Sequence, residues 1–325
     1  MNFALIGCGL IGQKRAAQIP KGSHIIGCFD VDTKAAENFR DRFQVKNYKS
    51  LQELLNHEDL DAVIVSTRHD SLADLATQAI KAGLHVFIEK PGAISFKEFR
   101  DLVDLAEARR LRIHIGYNHR YHPSILKTFD LISSGEIGDI MFLRARYGHG
   151  GRVGYETEWR ANKSQSGGGE LIDQGTHLLD LSIGLLGSVQ LEYSSTPTYF
   201  WDMEVEDNAF ISLKNKNGSI AFLHASCTEW KNMFSLEVYG KTGKIEVNGL
   251  GGSYGKETLI SYKMLPEMGP PLMQSWAFSE PDASWGLELE DFISDIQTGS
   301  KKSNNVESSL EVLRIVQDIY QRANP

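Results

Sequence analysis

The feature that most constrains the fold of this chain is a glycine-rich turn close to its first residue. An apolar run from Asn2 to Ile6 is followed by Gly7-Cys8-Gly9-Leu10-Ile11-Gly12, and a helical pattern begins at Leu10. A strand, a G-x-G-x-x-G motif and a helix in this order predict a dinucleotide-binding turn. Gly7 would make the tight turn, Gly9 would let a pyrophosphate approach the backbone, and Gly12 would let helix and strand pack closely. The helix N-terminus, at Leu10 and Ile11, would then bind the anion.

The second apolar strand, from His24 to Phe29, ends in Asp30. A carboxylate at this position can accept both ribose hydroxyls of an adenosine and would repel a 2′-phosphate. No arginine stands beside it to neutralise a phosphate, although Lys34 follows on the next helix. We therefore expect Asp30 to bind the ribose and the cofactor to be NAD, with NADP as the alternative. Asp30 could instead cap the helix predicted from Thr33 to Phe43.

Strands and helices continue to alternate up to residue 115, which is typical of a parallel doubly wound sheet. Helices are predicted at 50–56, 71–82 and 95–109, and strands at 62–65, 84–88 and 112–115. Ligands of such sheets lie beyond the carboxyl ends of the strands. The segments at those ends are Ser66-Thr67-Arg68-His69, Glu89-Lys90-Pro91 and Gly116-Tyr117-Asn118-His119-Arg120. Each segment is therefore a candidate for the site.

At 325 residues the chain is long enough for two domains, and its pattern changes after residue 120. We expect a dinucleotide-binding domain at 1–120 and a second domain at 121–325, whose last helix could pack back on the first domain. In the second domain we predict helices at 123–133, 286–298 and 306–322, a strand at 140–147, and hairpins at 206–227 and 234–247. Residues 249–285 are expected to be irregular. Tyr254 and Trp285 are expected to pack in the core, and the alternative is that one of them approaches the site.

A second glycine-rich segment, Gly167-Gly168-Gly169, precedes a helical pattern that runs to about Leu186. Most positions of this pattern are apolar, so the helix is expected to be buried. Its ionisable side chains form one stripe, with spacings of three or four residues: Glu170, Asp173, His177 and Asp180. We expect the stripe to face a cleft, where a carboxylate one turn before His177 can orient the imidazole for proton transfer. The alternative is a helix whose polar edge is only solvated.

The segment 148–169 is rich in glycine and polar residues and is long for a connection. Its aromatic rings offer flat faces for a sugar ring, and its arginines offer forked donors to hydroxyls or phosphates. We therefore predict a substrate-covering loop, and the alternative is a basic, solvated loop. The side chains concerned are Arg152, Tyr155, Trp159, Arg160 and Lys163.

The strand predicted at 219–227 carries apolar side chains on both faces, for example Phe222 on one and Leu223 on the other. An antiparallel strand with one solvated face would alternate apolar with polar residues. We therefore expect one face of this sheet to pack on helices and the other to form a homodimer or homotetramer.

Composition excludes several classes of partner. The net charge of −8 and the pI near 5.7 argue against nucleic acid or an anionic membrane. No apolar run approaches the ~20 residues that span a bilayer. Met1 leads directly into the first strand, without a basic segment or a cleavage site. Cys8, Cys28 and Cys227 form no metal-binding pattern and are expected to be buried thiols. These features together predict a cytoplasmic protein.

Three motifs in this order and at this spacing resemble the Gfo/Idh/MocA family of NAD(P)-dependent oxidoreductases. They are the glycine motif, Glu89-Lys90-Pro91 after an apolar strand, and Asp173-x-x-x-His177. The resemblance covers nearly the whole chain. It implies a Rossmann domain followed by an α+β domain with a large open, mainly antiparallel sheet. It also implies action on sugars, sugar acids, nucleotide sugars, inositols or related diols.

Carried over by position, the resemblance implies a catalytic lysine at Lys90, a carboxylate at Asp173 and a histidine at His177. It also places Trp159 and Arg160 near the nicotinamide and the substrate. The remaining predicted contacts are Glu89 and Lys90 for the cofactor and Asn118, Arg120, Arg152 and Tyr155 for the substrate.

One segment departs from the family pattern. After the position of Ser66-Thr67, relatives usually have Pro-Asn, whereas this chain has Arg68 and His69. Thr67 remains a candidate cofactor contact. Arg68 could equally be a surface side chain.

Oxidation of a secondary alcohol requires the hydroxyl proton to leave as a hydride passes to nicotinamide. We expect His177 to accept this proton, Lys90 to hydrogen-bond the same oxygen, and Asp173 to hold the imidazole or bind a neighbouring hydroxyl. This predicts an NAD-dependent oxidoreductase of a sugar, inositol or related cyclic polyol. The alternatives are a nucleotide-sugar enzyme, a glycoside hydrolase that uses bound NAD, and a non-catalytic NAD-binding protein. Asp173 and His177 could hold a metal ion, but no third ligand is apparent, and we expect none.

Overall fold

The computed structural model describes residues 1–299 and 305–323, which form two compact units. The first unit contains Met1–Tyr117 and Trp285–Leu310, and the second contains Asn118–Ser284 and Glu311–Pro325. No helix within the described residues is both long enough and apolar enough to cross a membrane.

The first unit contains a six-stranded sheet in which every neighbouring pair of strands is parallel. Its strands are β1 (Asn2–Ile6), β2 (His24–Phe29), β3 (Lys46–Asn47), β4 (Ala62–Val65), β5 (His85–Glu89) and β6 (Ile113–Gly116). The helices that alternate with them are α1 (Leu10–Ala17), α2 (Thr33–Phe43), α3 (Leu51–Leu55), α4 (His69–Lys81) and α5 (Phe96–Ala108). The strand order is β3-β2-β1-β4-β5-β6, which confirms the predicted doubly wound sheet. The short strand β3 was not predicted.

The core of the first unit follows from strands that are apolar on both faces. All four residues of β4 are buried, as expected for a parallel strand with helices on both sides. Side chains from α9 (Ser284–Thr298), a helix far along the chain, complete this core. The buried cluster consists of Phe3, Leu5, Cys8, Ala16, Cys28, Ala36, Phe39, Ala62, Ile64, Phe87, Leu289 and Phe292.

The second unit contains an eight-stranded, mostly antiparallel sheet. Its strands are β7 (Ile140–Gly148), β8 (Val189–Ser195), β9 (Asn208–Asn215), β10 (Ile220–Ser226), β11 (Met233–Gly240), β12 (Gly243–Asn248), β13 (Glu257–Lys263) and β14 (Leu272–Phe278). They lie in the order β14-β13-β12-β11-β7-β10-β9-β8, and only the pair β7 and β10 is parallel. A large, mainly antiparallel sheet is confirmed, and both predicted hairpins are present as β9–β10 and β11–β12.

The prediction that residues 249–285 are irregular was wrong. This segment contains strands β13 and β14, which pair in antiparallel fashion from Glu257 with Phe278 to Lys263 with Leu272. Most side chains of β14 are exposed, because this strand is the edge of the sheet. An edge strand needs no alternation of apolar and polar residues, so its sequence carries no strand pattern.

The helices of the second unit are α6 (Pro123–Ser133), α7 (Lys163–Ser166), α8 (Thr176–Leu186) and part of α10 (Asn305–Ala323). In the sheet of this unit, strand β10 is buried on one face and partly exposed on the other. Ala221, Leu223 and Ala225 are buried on one face of β10, whereas Phe222 on the other face is 52% exposed. The three cysteines are free and buried, as predicted.

Candidate active site

The glycine-rich turn of the first unit has the close packing that the G-x-G-x-x-G motif predicts. Gly7 has a φ of +95°, and a Cβ there would lie 2.7 Å from the carbonyl carbon of Ser66. A Cβ on Gly12 would lie 2.2 Å from the carbonyl oxygen of Gly7. A Cβ on Gly9, in contrast, would meet no atom within 4 Å. The chain therefore packs tightly around Gly7 and Gly12 and leaves open space at Gly9, as a bound pyrophosphate would need.

The N-terminus of α1 is available to an anion. Gly9 is its N-cap, and no side chain of the described residues caps it. The first turn carries no acidic residue, and Leu10 is 72% exposed. Unpaired N–H groups and the helix dipole therefore favour an anion beside Gly9, Leu10 and Ile11.

The carboxylate of Asp30 contacts this turn directly. Its Oδ2 accepts a hydrogen bond from the backbone N–H of Cys8 at 2.6 Å, and its Oδ1 accepts one from Asp32 at 2.8 Å. The cap of α2 is Asp32, which accepts from the backbone of Lys34 and Ala35. The alternative of Asp30 as a helix cap was therefore wrong.

The strand end after β4 carries Thr67, whose hydroxyl accepts a hydrogen bond from Ser71 at 2.9 Å. Arg68 precedes α4 and forms an ion pair with Asp70 at 3.1 Å, with about half of its side chain exposed. His69 is buried in the first turn of α4. These contacts are local and lie within one helix turn. They do not test whether Thr67 contacts the cofactor, so this role stays a prediction.

The end of β5 carries a buried ion network that sequence reasoning missed. Arg15 is fully buried, and its guanidinium lies 2.6 Å from Glu89 and 2.7 Å from Glu288. The rings of Phe87 and Trp285 lie 4.4 and 4.5 Å from the guanidinium carbon. Burial raises the pKa of Glu89, although Arg15 opposes the shift. Burial lowers the pKa of Arg15, but the two carboxylates outweigh it and raise the pKa.

This network fixes the residue that precedes Lys90. Glu89 is buried, whereas Lys90, the next residue, is partly exposed at the end of the strand. The carboxylate of Glu89, a predicted cofactor contact, is therefore already paired with Arg15. Residues 89 and 90 stay predicted cofactor contacts.

In the second unit, the polar stripe is buried, so the alternative of a merely solvated polar edge was wrong. Residues Leu171–Gly175 form one π-helical turn before α8 begins at Thr176. A π-turn widens the helix by one residue, so the α-helical spacing of the stripe does not hold across it. All four ionisable side chains are at least 96% buried: Glu170, Asp173, His177 and Asp180.

Each member of the stripe faces a different partner within the second unit. Glu170 accepts a hydrogen bond from the Tyr155 hydroxyl at 3.2 Å. Asp173 accepts one from Nε of Arg160 at 3.0 Å. The ring of His177 stacks on that of His119, with centroids 3.8 Å apart and planes inclined by 35°.

Two of the predicted substrate contacts take part in packing. Asp180 accepts two hydrogen bonds from Arg120, at 2.6 and 2.7 Å. The side-chain amide of Asn118 donates to the Ser284 hydroxyl at 2.9 Å. A fully buried carboxylate such as Asp180 needs this partner, so Arg120 holds the turn at 118–121 against α8.

The predicted substrate loop contains three short helical turns rather than an extended connection. These are Tyr155–Thr157, Trp159–Ala161 and α7. The guanidinium of Arg160 lies over the Trp159 ring at 4.5 Å. Burial lowers the pKa of Arg160, but the neighbouring Asp173 and Tyr155 outweigh it and raise the pKa. Arg152 is exposed and lies 2.7 Å from Glu158.

Several aromatic and imidazole groups around the stripe were not assigned a role from the sequence. Tyr147, at the end of β7, lies edge-on to both His119 and His177, and Tyr254 packs on Tyr147 at 4.8 Å. His149 lies 3.5 Å from Glu170; burial lowers its pKa, but this carboxylate outweighs it and raises the pKa. The sequence offered one signal for His119, namely its position just after the end of a predicted strand.

The arrangement can hold and move a proton in the second unit. Asp173 and the partly exposed Arg160 form an ion pair before the buried imidazole of His177, and the ring of Tyr147 lies edge-on to that imidazole. Within residues 1–299 and 305–323, no group of three His, Cys, Asp or Glu side chains is placed to hold a metal ion.

Comparison with known proteins gives the following matches. Residues 1–117 match a family profile described as an oxidoreductase family with an NAD-binding Rossmann fold, GFO/IDH/MocA. Residues 125–246 match the GFO/IDH/MocA C-terminal domain. The chain is similar to glucose-6-phosphate 3-dehydrogenase of Bacillus subtilis, with 30% identity over 55% of this chain and 52% of that protein. It thus spans about half the length of that relative.

Two further matches cover nearly the whole of both chains. Inositol 2-dehydrogenase of Rhizobium meliloti is 23% identical over 97% of this chain and 94% of that protein. The structure of a levoglucosan dehydrogenase in complex with NADH and L-sorbose superposes with a TM-score of 0.89. It is 20% identical and covers 99% of this chain and 96% of that one, which supports the fold. Two domain profiles that together match most of the sequence show that the chain belongs to the GFO/IDH/MocA family of oxidoreductases, whose first domain is an NAD-binding Rossmann fold.

Proposed function

We propose that this protein is an NAD-dependent oxidoreductase that interconverts a secondary hydroxyl and a ketone on a sugar, inositol or related cyclic polyol. The observation that carries the proposal is the buried imidazole of His177 in a member of an oxidoreductase family that also has Lys90 and Asp173. A buried histidine among ionisable groups is suited to proton transfer near neutral pH. A protein that only binds NAD would need none of these three side chains.

The residues of the first unit fit a dinucleotide. The open space at Gly9 and the uncapped N-terminus of α1 suit a pyrophosphate, and Asp30 lies beside the same turn. When bound, the nicotinamide would supply the hydride acceptor or donor. Asp30 favours NAD, because a carboxylate accepts ribose hydroxyls and repels a 2′-phosphate.

The proposed roles of the remaining groups follow from their chemistry. His177 would accept the proton of the substrate hydroxyl during oxidation and return it during reduction. The ammonium group of Lys90 would hydrogen-bond the substrate oxygen and stabilise the negative charge that develops there. Asp173, which is oriented by Arg160, would hold the imidazole or bind a neighbouring hydroxyl.

The substrate class rests on the relatives. Those cited above are named for action on glucose 6-phosphate and on inositol. We propose a free sugar or inositol as the substrate, with a sugar phosphate or a nucleotide sugar as the second choice. Tyr155, Trp159 and Arg160 would contact it from the loop, with Arg152 at its exposed end.

We also propose that the protein is a homo-oligomer through the open face of the second sheet. Phe222 remains about half exposed on this face, and His224 beside it stacks on Phe210 at 4.2 Å. An apolar side chain at the middle of a sheet face favours a protein partner over water.

The test of the proposed function is a screen of the purified protein with NAD and NADP against inositols, aldoses, glucose 6-phosphate and nucleotide sugars. Stoichiometric formation of reduced nicotinamide, followed by its absorbance, is the expected result. Cleavage of a glycoside without net formation of reduced cofactor would instead indicate the hydrolase. Tight NAD binding without turnover of any compound would indicate a non-catalytic protein.

Replacement of Asp30 by asparagine is expected to weaken the preference for NAD over NADP by roughly tenfold, or ~1.4 kcal/mol. The amide keeps an oxygen that can accept from the Cys8 N–H but removes the negative charge that repels a 2′-phosphate. The measurement is the ratio of the two dissociation constants by calorimetry. Asp32→Asn is the matched control, because Asp32 caps α2 two residues away. An unchanged ratio in Asp30→Asn would contradict the role given to Asp30.

A further inference from the structure

A stack of two buried imidazoles lies in the second unit. His119 is in the short 3-10 turn Asn118–Tyr121, and His177 is in the first turn of α8. Both side chains are at least 95% buried, and their ring centroids are only 3.8 Å apart. The ring planes are inclined by 35°, so the two rings are tilted but in close contact. At this separation, the charge on one ring acts strongly on the other.

Two protonated imidazoles cannot easily coexist in this position. Burial disfavours each imidazolium, and the like charge of the second ring adds to that penalty. Two such groups titrate as a pair, which takes up its first proton readily and its second only at a considerably lower pH. A neutral ring stacked on a charged one, in contrast, is an acceptable neighbour, because the π-face attracts a cation.

We propose that His119 is a positioning residue for His177, because the two stacked rings share one proton and so set the pH range over which His177 can accept a proton from the substrate. This inference rests on the proposed function for its consequence in catalysis. The sharing of a proton, however, can be measured without any substrate. His119 itself need not contact the substrate.

The other groups that face His177 are compatible with this role. The elements packed against α8 are the turn at 118–121, the π-turn before it, β7 and β10. From the π-turn comes Asp173, whose charge is balanced by Arg160. From β7 comes Tyr147; burial raises its pKa well above the usual value, so it stays neutral. The buried side chains of β10 are those of alanine, leucine and serine and carry no charge.

On the turn at 118–121, the other charged group is Arg120, which is paired with Asp180. Beyond His119 lies His122, with ring centroids 5.8 Å apart, and Nδ1 of His122 is 3.5 Å from the carboxylate of Glu257. Burial alone would raise the pKa of Glu257, but hydrogen bonds from His122, Gly251 and Ser124 outweigh it and lower the pKa to about 2. This carboxylate is therefore ionised throughout the neutral range and holds His122, which leaves His177 as the stacked partner of His119.

The first test is a histidine-labelled NMR titration of the full protein, with the His177 signals assigned from the His177→Gln variant. In the wild type we expect two coupled steps in which His119 and His177 respond together. In His119→Phe, which keeps a stacked ring, and in His119→Gln, which keeps a polar group, we expect a single step. The pH at which His177 is half protonated should be higher than in the wild type by about half a pH unit or more, because His177 then no longer shares the proton with His119.

The second test is the pH profile of kcat/KM for oxidation, which reports groups of the free enzyme. In both His119 variants, the acid limb should move to higher pH by the same amount as the NMR midpoint. His85→Gln is the control: His85 is a partly buried histidine at the start of β5 in the first unit, and its loss should leave both profiles unchanged.

The outcomes are distinct. Independent, full titrations of His119 and His177 between pH 5 and 8 in the wild type would overturn the proposal, even if neither His119 variant folded. Superimposable pH profiles in wild type and variants would overturn the role in catalysis. Coupled NMR titrations together with no turnover of any polyol would instead contradict the proposed function, whereas the sharing of a proton between the two rings would be confirmed.

Discussion

Replacement of His177 by glutamine is expected to lower kcat for polyol oxidation by about 10²–10⁴-fold, the usual contribution of a general base. Glutamine fills a similar volume and can hydrogen-bond, but it cannot accept a proton from the substrate. Because the glycine-rich turn and Asp30 belong to the other unit, NAD binding should stay within about twofold of wild type. Steady-state kinetics and calorimetry with NAD measure the two effects.

Replacement of Lys90 by methionine tests the second proposed group, the ammonium that would hydrogen-bond the substrate oxygen. Methionine preserves the length of the side chain but removes the ammonium group that would stabilise the developing alkoxide, so kcat should fall by about 10²–10³-fold. Lys97→Met is the control, since Lys97 is exposed and pairs with Asp101 on the surface of α5. Near-normal turnover in both His177→Gln and Lys90→Met would refute the proposed assignment of the two groups.

Much of the first unit could be predicted because its signals are local. Apart from the two-residue strand β3, each parallel strand is a short apolar run, and β1, β2, β4 and β5 are each followed by an α-helix. The glycine turn is likewise a local sequence motif. The contact of Gly12 with Gly7 forms within one strand–turn–helix unit, whereas the space at Gly7 is limited by Ser66 at the end of β4. Such patterns can be recognised in the sequence without knowing how the rest of the chain folds.

The partners of the site residues could not be predicted in the same way, because they come from distant parts of the chain. His119 and His177 meet only once the turn at 118–121 packs on α8. Arg120, a predicted substrate contact, pairs with the buried Asp180, which lies 60 residues further along the chain. A pattern of charged residues shows which groups must find partners, but the choice of partner depends on the tertiary packing.

The edge hairpin and the π-turn show two further limits. Strand β14 lies at the edge of the sheet, and its mostly exposed side chains show no alternation that would mark a strand. The π-turn at 171–175 runs directly into the α-helix that begins at Thr176. Backbone pairing and helix width are decided by neighbours rather than by composition, so both features were missed.

The buried ion network around Arg15 provides the largest expected effect on stability. Replacement of Arg15 by leucine should destabilise the protein by about 3–5 kcal/mol, because Glu89 and Glu288 would remain in the core without a cation. The loss should depend on pH. In the variant, burial keeps the pKa of Glu89 above that of the unfolded chain with no guanidinium to oppose it, so the folded state binds more protons. Stability therefore falls as the pH rises through the folded-state pKa and recovers as the pH is lowered.

Urea unfolding of Arg15→Leu at several pH values measures this effect. Arg42→Leu is the control, because Arg42 is an exposed arginine of the same unit that lies 5.2 Å from the Phe43 ring, and its replacement should change stability by no more than about 0.5 kcal/mol. The double variant Arg15→Leu/Glu288→Gln should recover part of the loss, since it removes one of the two unpaired charges. A loss below about 1 kcal/mol in Arg15→Leu, or one that is the same at all pH values, would show that the two carboxylates do not depend on this guanidinium.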